Sequence, residues 1–155
     1  MNIKAIDLLF LEVDMSDSGT NSCGACDIAK SRLDAALELA RPILGDAGYE
    51  VRVNHITVTS EEQAGELNFL GSPTLRVAGS EVVPRHVPGS EKRLWSWGEK
   101  EFSEPPVGLF LDLILQGVRS MKSPPENQPR EIPNYLRNYL QPVKPLKTST
   151  CDSCS

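Results

Sequence analysis

The order of apolar and polar positions divides the chain into a compact pattern and a tail. Ile3 to Val13 is an apolar run with β-branched residues and predicts a buried strand. Asp14 to Ser22 holds almost nothing apolar and reads as a loop. After Cys23-Gly24-Ala25-Cys26, the residues Ala29, Leu33, Ala36, Leu37, Ala40, Ile43 and Leu44 recur at helical steps. They form one apolar stripe, which Gly45 and Gly48 end. Tyr49, Val51, Val53, Ile56 and Val58 predict a second strand. Ser60-Glu61-Glu62-Gln63 has the form of a capping box and opens a short helix through Ala64, Leu67 and Leu70, which Gly71-Ser72-Pro73 breaks. Thr74 to Val77 and Glu81 to Val83 predict a hairpin turning at Ala78-Gly79-Ser80. Pro84 to Pro106 reads as irregular and holds both tryptophans, Trp95 and Trp97, expected to pack or to form part of a lid. Pro106 suits the start of a helix whose apolar face is Leu109, Phe110, Leu113, Ile114 and Val118. The predicted order is β-α-β-α-β-β-α, complete by about Ser120.

Residues 121–155 differ. They hold six of the twelve prolines, with five Lys/Arg against three Asp/Glu. Such a segment has little with which to form a core. The exception is Ile132 to Leu140, where Tyr135, Leu136, Tyr139 and Leu140 are placed to dock as a helical turn or two. The expected organisation is therefore a domain over 1–120 and a proline-rich C-terminal extension over 121–155. The whole chain has 155 residues and a net charge of −5, which argues against a nucleic-acid binder held by phosphate contacts. No segment approaches the apolar length of a membrane span, and the N-terminus lacks a signal peptide's shape. The expected location is cytoplasmic, where thiols are mostly reduced and read first as redox-active or metal-binding groups.

Four cysteines stand as two C-x-x-C pairs, Cys23/Cys26 and Cys151/Cys154. The first pair opens the long helix. Free backbone N–H groups and the helix dipole there favour a thiolate. Cys23 is the expected nucleophile and Cys26, one turn in, the resolving thiol, with exchange running through a mixed disulfide and no cofactor needed. Gly24 and Ala25 are small and leave a partner room. Asp27 suits a helix start, although its charge opposes a nearby thiolate.

In this arrangement the chain resembles the thioredoxin/glutaredoxin superfamily. The resemblance covers roughly residues 1–120. It rests on strand, loop, Cys23-Gly24-Ala25-Cys26 and long helix, and on Gly71-Ser72-Pro73-Thr74 entering a strand about fifty residues later. It implies a thioredoxin-like α/β fold, a mixed central sheet flanked by helices on both faces. It also implies a cis Pro73 beside the dithiol and a Ser72 backbone that pairs with an extended substrate. A closer similarity is to small thioredoxin-like proteins carrying F-x-G-S-P-T-x-x-V-x-G, here Phe69 to Gly79, followed by Lys92-Arg93-Leu94-Trp95 and Pro105-Pro106. Lys92 stands where those relatives have cysteine. Some of them are associated with mercury or arsenic resistance. The chain departs from ordinary thioredoxin in having Ser22 rather than tryptophan before the first cysteine and no proline between the cysteines.

The expected function is thiol–disulfide oxidoreduction on a protein or small disulfide substrate, with a thioredoxin-reductase-like enzyme as a candidate electron donor and no nucleic-acid or membrane partner. Cys151/Cys154 suggests a swinging dithiol that relays electrons to or from the first pair. Two alternatives stand beside it. One is a metal or metalloid protein binding zinc, mercury or arsenic through Cys23, Cys26, Cys151 and Cys154. The other is a thioredoxin-like interaction module. His55 is expected in a strand and His86 in a loop, without a histidine-rich metal site.

Overall fold

A computed structural model describes residues 2–15, 24–120 and 131–140. Strand β1 is Lys4–Val13, helix α1 Gly24–Asp46, β2 Tyr49–Val58, α2 Glu61–Glu66, β3 Thr74–Val77 and β4 Ser80–Val82. These strands form one mixed sheet in the order β2-β1-β3-β4. β2 runs parallel to β1, while β3 is antiparallel to both β1 and β4. The parallel β1–β2 pair is joined through α1, a crossover of the length a parallel connection requires.

β1 lies in the middle of the sheet with β2 and β3 on either side, which explains its nearly continuous apolar sequence. Its alternation decides two cores. Ile6, Leu8 and Phe10 face one side and pack with α1 and with helix α3, Val107–Arg119. Leu11 and Val13 belong to a second cluster with Val58, Ala64 of α2 and Phe69. Leu136 and Leu140 complete that second cluster, brought by α4, Asn134–Arg137. The result is a mixed α/β fold with helices on both faces of the sheet, an arrangement compatible with a thioredoxin-like fold. No helix among the described residues is long and apolar enough to cross a membrane.

Local chemistry explains the element ends. The Ser60 hydroxyl caps α2 by accepting from the Gln63 N–H at 3.1 Å, and the Gln63 side chain reaches back to the Thr59 N–H at 3.0 Å. The Ser60–Gln63 half of the capping box forms where the sequence pattern places it, and only the return bond falls one residue earlier, on Thr59. Helix α1 includes Pro42, which removes one intrahelical hydrogen bond near the C-terminal end. The apolar stripe of α1 is narrower than its sequence suggests: Ile43 is 59% exposed, while Cys26, Ala29, Leu33, Ala36, Leu37, Ala40 and Leu44 are buried.

Residues 84–106 are not irregular. Strands β5 (Arg85–His86), β6 (Arg93–Trp97) and β7 (Lys100–Phe102) form a three-stranded antiparallel sheet. Prolines and glycines bounding each short strand hid this alternation, and His86 lies in a strand rather than a loop. The two tryptophans separate in role. Trp95 is 1% exposed and meets Phe110 edge-on, with ring centroids 5.5 Å apart. Trp97 is 40% exposed, its indole N–H donates to Asp112 at 3.3 Å, and its ring covers Gly108, where a Cβ would collide with it. The second sheet is therefore fastened to α3 by one buried and one half-exposed indole. Trp95→Ala is expected to destabilise the fold by about 3–5 kcal/mol, read as a lower urea midpoint, because the cavity would open between the small sheet and α3.

Candidate active site

The start of α1, the end of β1 and the start of β3 meet at one place. β1 and β3 are paired to Leu11↔Thr74, so Ser72 and Pro73 lie beside the last residues of β1. The Ser72–Pro73 peptide bond is cis. Gly71, Ser72, Pro73 and Thr74 are all buried, and the Thr74 hydroxyl donates to the Gly71 carbonyl at 2.5 Å, closing the turn on itself.

Ser72 uses every polar atom it has. Its hydroxyl accepts from the Val13 N–H at 3.0 Å, which holds the G-S-P-T turn against the end of β1. The same oxygen lies 3.6 Å from Cys26 Sγ, where either group can donate. Its backbone N–H donates to the Tyr135 hydroxyl at 2.8 Å, and its carbonyl accepts from Arg93 Nε at 2.9 Å. Buried polar groups are costly unless bonded, and here each is bonded.

Cys26 is fully buried in the first core cluster. It occupies the first turn of a 23-residue helix, so the N-terminal end of α1 favours negative charge near it. Ala25 and Gly24 flank it on the exposed side: Gly24 has open space around its α-carbon, and Ala25 borders a cavity of about 450 Å³ with Ile28, Lys92, Leu94 and Pro105. Cys23, the residue before Gly24, lies outside the described residues, as do Cys151 and Cys154. Among the described residues no group of three or more His, Cys, Asp or Glu is arranged to hold a metal ion. The four-thiol arrangement rests on three of those cysteines outside the described part.

Two residues that the sequence reading did not connect with this turn, Arg93 and Tyr135, bond the backbone of Ser72 from around the site. Arg93 is only 3% exposed. Besides Ser72, its guanidinium donates to the carbonyls of Glu91 at 2.9 Å and Lys92 at 3.3 Å. Its charge lies 5.0 Å from the centre of the Tyr135 ring, a cation–π distance. Tyr135 in turn stacks on His86, with centroids 4.2 Å apart and planes 3° from parallel. An arginine inside the alternating run Arg93-Leu94-Trp95 was the available signal, since a strand that buries Trp95 also buries Arg93 on the same side.

A charged group sits one turn beyond Cys26. Lys30 of α1 bonds Glu12 at 2.7 Å, and Glu12 also meets His55 Nε2 at 2.5 Å, so one carboxylate joins β1, α1 and β2. The hydrogen bond to Glu12 raises the Lys30 pKa above 10.5, against the opposing effect of partial burial.

Residues 9–114, about two thirds of the chain, match the family described as Domain of unknown function (DUF2703). The chain belongs to this family. No curated protein and no solved structure matches it. The DUF2703 span contains the Cys23-Gly24-Ala25-Cys26 motif, the G-S-P-T turn and Arg93, whereas Tyr135 and α4 lie beyond it.

Two measurements probe this site. Ser72→Ala leaves the Val13 N–H buried without its acceptor and is expected to cost about 1–3 kcal/mol in urea unfolding, more than an exposed Ser→Ala change. Lys30→Met is expected to lower stability at neutral pH by less than about 1 kcal/mol, because the lysine is partly exposed and solvent screens the pair. Since the folded pKa is raised, that difference is fully present below pH 10.5 and fades as pH rises through the folded value, which paired unfolding curves from pH 8 to 12 would show.

Proposed function

We propose that this DUF2703 protein has a thioredoxin-like fold and is a thiol–disulfide oxidoreductase acting through Cys23 and Cys26. The observation that carries this reading is the 3.6 Å approach of Cys26 Sγ to Ser72 Oγ. It joins the C-x-x-C helix start to the G-S-P-T turn across 46 residues of sequence, as the two motifs require if they form one site. The sheet order β2-β1-β3-β4 and the helix-first-turn position of Cys26 support it further.

In the reductive direction, the Cys23 thiolate attacks one sulfur of a substrate disulfide and displaces the other as thiolate, leaving a mixed disulfide. Cys26 then attacks the Cys23 sulfur, the substrate leaves as its second thiolate, and Cys23 and Cys26 are left joined as a disulfide. Two electrons pass to the substrate, and an external dithiol or reductase must return them. The Ser72 hydroxyl, able to donate to Cys26 Sγ, stabilises negative charge there as Cys26 becomes the attacking group. The cavity bordering Ala25 gives a substrate a partly apolar surface with Lys92 beside it.

The terminal Cys151/Cys154 pair acts in this scheme as a second dithiol. Tyr139 donates to Glu91 at 2.5 Å, and Glu91 borders the same cavity as Ala25. The chain is thus tied down near the site, twelve residues before Cys151.

With dithiothreitol as reductant, the full chain is expected to accelerate insulin reduction. Cys23→Ser should fall to the uncatalysed rate, and Cys26→Ser should accumulate a mixed disulfide on Cys23 that mass spectrometry detects. A wild-type protein that leaves insulin reduction at the background rate with every dithiol tried overturns the reading.

A further inference from the structure

The Ser72 N–H, in the turn beside Cys26, has its partner 63 residues further along the chain. A backbone N–H carries a single hydrogen and makes one well-aligned bond, so a second acceptor competes with the first, whereas the Ser72 carbonyl has a second lone pair even while Arg93 holds the first. The acceptor in place is the Tyr135 hydroxyl oxygen at 2.8 Å, so the carbonyl oxygen of another polypeptide would compete with it for this N–H. We propose that residues 131–140 are a latch: the chain's own occupant of the substrate-pairing edge, which a polypeptide substrate must displace before it can bond Ser72. This rests on the redox reading above and adds to it a control of access.

The fastening is built for both closure and release. Tyr135 lies between His86 and the Arg93 guanidinium, so its ring is held on two sides. Leu136 is fully buried and Leu140 is 4% exposed, both in the cluster with Leu11, Val13, Val58 and Phe69. Two further ties lie at the surface. Arg137 meets Glu61 at 3.3 Å, and Tyr139 meets Glu91 at 2.5 Å. The helix itself is four residues long and cannot stand alone, so its structure depends on docking. Gly71 makes the approach possible: a Cβ there would run into Val83 and lie 3.0 Å from the Tyr135 oxygen. The latch also joins the domain from outside its family-matched span, since residues 9–114 contain the site and residues 131–140 only cover it. Binding measured on the closed protein is then weakened by the fraction of molecules that are open.

The test uses the full chain and Tyr135→Phe, which keeps the ring on His86 and Arg93 and removes only the oxygen. Circular dichroism and urea unfolding establish that the variant is folded. Leu140→Ser loosens the segment from its other end with the Tyr135 oxygen still present. Amide hydrogen exchange at Ser72 is read without reference to activity, and kcat/KM is measured for insulin and for a small aromatic disulfide such as dithiobis-nitrobenzoate. The latch predicts faster Ser72 exchange in both variants and a rise of about three- to tenfold in kcat/KM for insulin, the loss of roughly one net hydrogen bond. It predicts little change with the small disulfide, which has no backbone to pair. Unchanged Ser72 exchange in both variants overturns the proposal. So does faster exchange with unchanged insulin kinetics in a wild type that does reduce insulin, because the substrate then does not compete with Tyr135. A wild type inactive on insulin overturns the redox reading and the substrate half of the latch together, an outcome distinct from the other two.

Discussion

Ser72 is the residue on which the site depends. Its hydroxyl bonds the last N–H of β1 and touches the Cys26 sulfur, its N–H bonds Tyr135, and its carbonyl bonds Arg93. Four segments distant in sequence are thereby referred to one fully buried residue. In a low-dielectric interior such bonds are strong and an unmade one is costly, so the four contacts support one another. The position of the cysteine relative to the cis peptide follows from this network rather than from apolar packing alone.

The two cores divide the tasks. The larger, between the sheet and the pair α1 and α3, sets the long helix at a fixed height on β1 and so places Cys26. The smaller, on the opposite face, is completed only when Leu136 and Leu140 are present. Burying two leucines contributes about 1.5–3 kcal/mol each relative to exposing them. A segment whose charged residues face solvent is thereby held beside the candidate site. The second sheet links the two tasks, because β6 buries Trp95 against α3 and carries Arg93 to Ser72.

The elements most legible in the sequence are those whose periodicity is long. The alternation of β1, the stripe of α1 and the apolar face of α3 each run over ten or more residues, and burial follows them closely. The small sheet was not legible. β5 has two residues and β7 three, too few for a period, and their pairing partners are what make them strands. Ile43 shows the same limit inside a helix: it lies at the edge of the stripe, and whether an edge position is covered depends on the neighbour's width.

The sequence alone determined the local chemistry: a C-x-x-C at a helix start, a G-S-P-T turn entering a strand, and an apolar patch near residue 136 in an otherwise proline-rich segment. These follow from residue type and spacing, which act over a few residues. Tertiary structure alone decided what those pieces meet. That Cys26 faces Ser72, that Arg93 is buried to hold a carbonyl, and that Tyr135 takes the adjoining N–H are contacts over separations of 46, 21 and 63 residues. No local propensity encodes them. They exist because a buried amide must have partners, and the fold supplies them from wherever the chain passes.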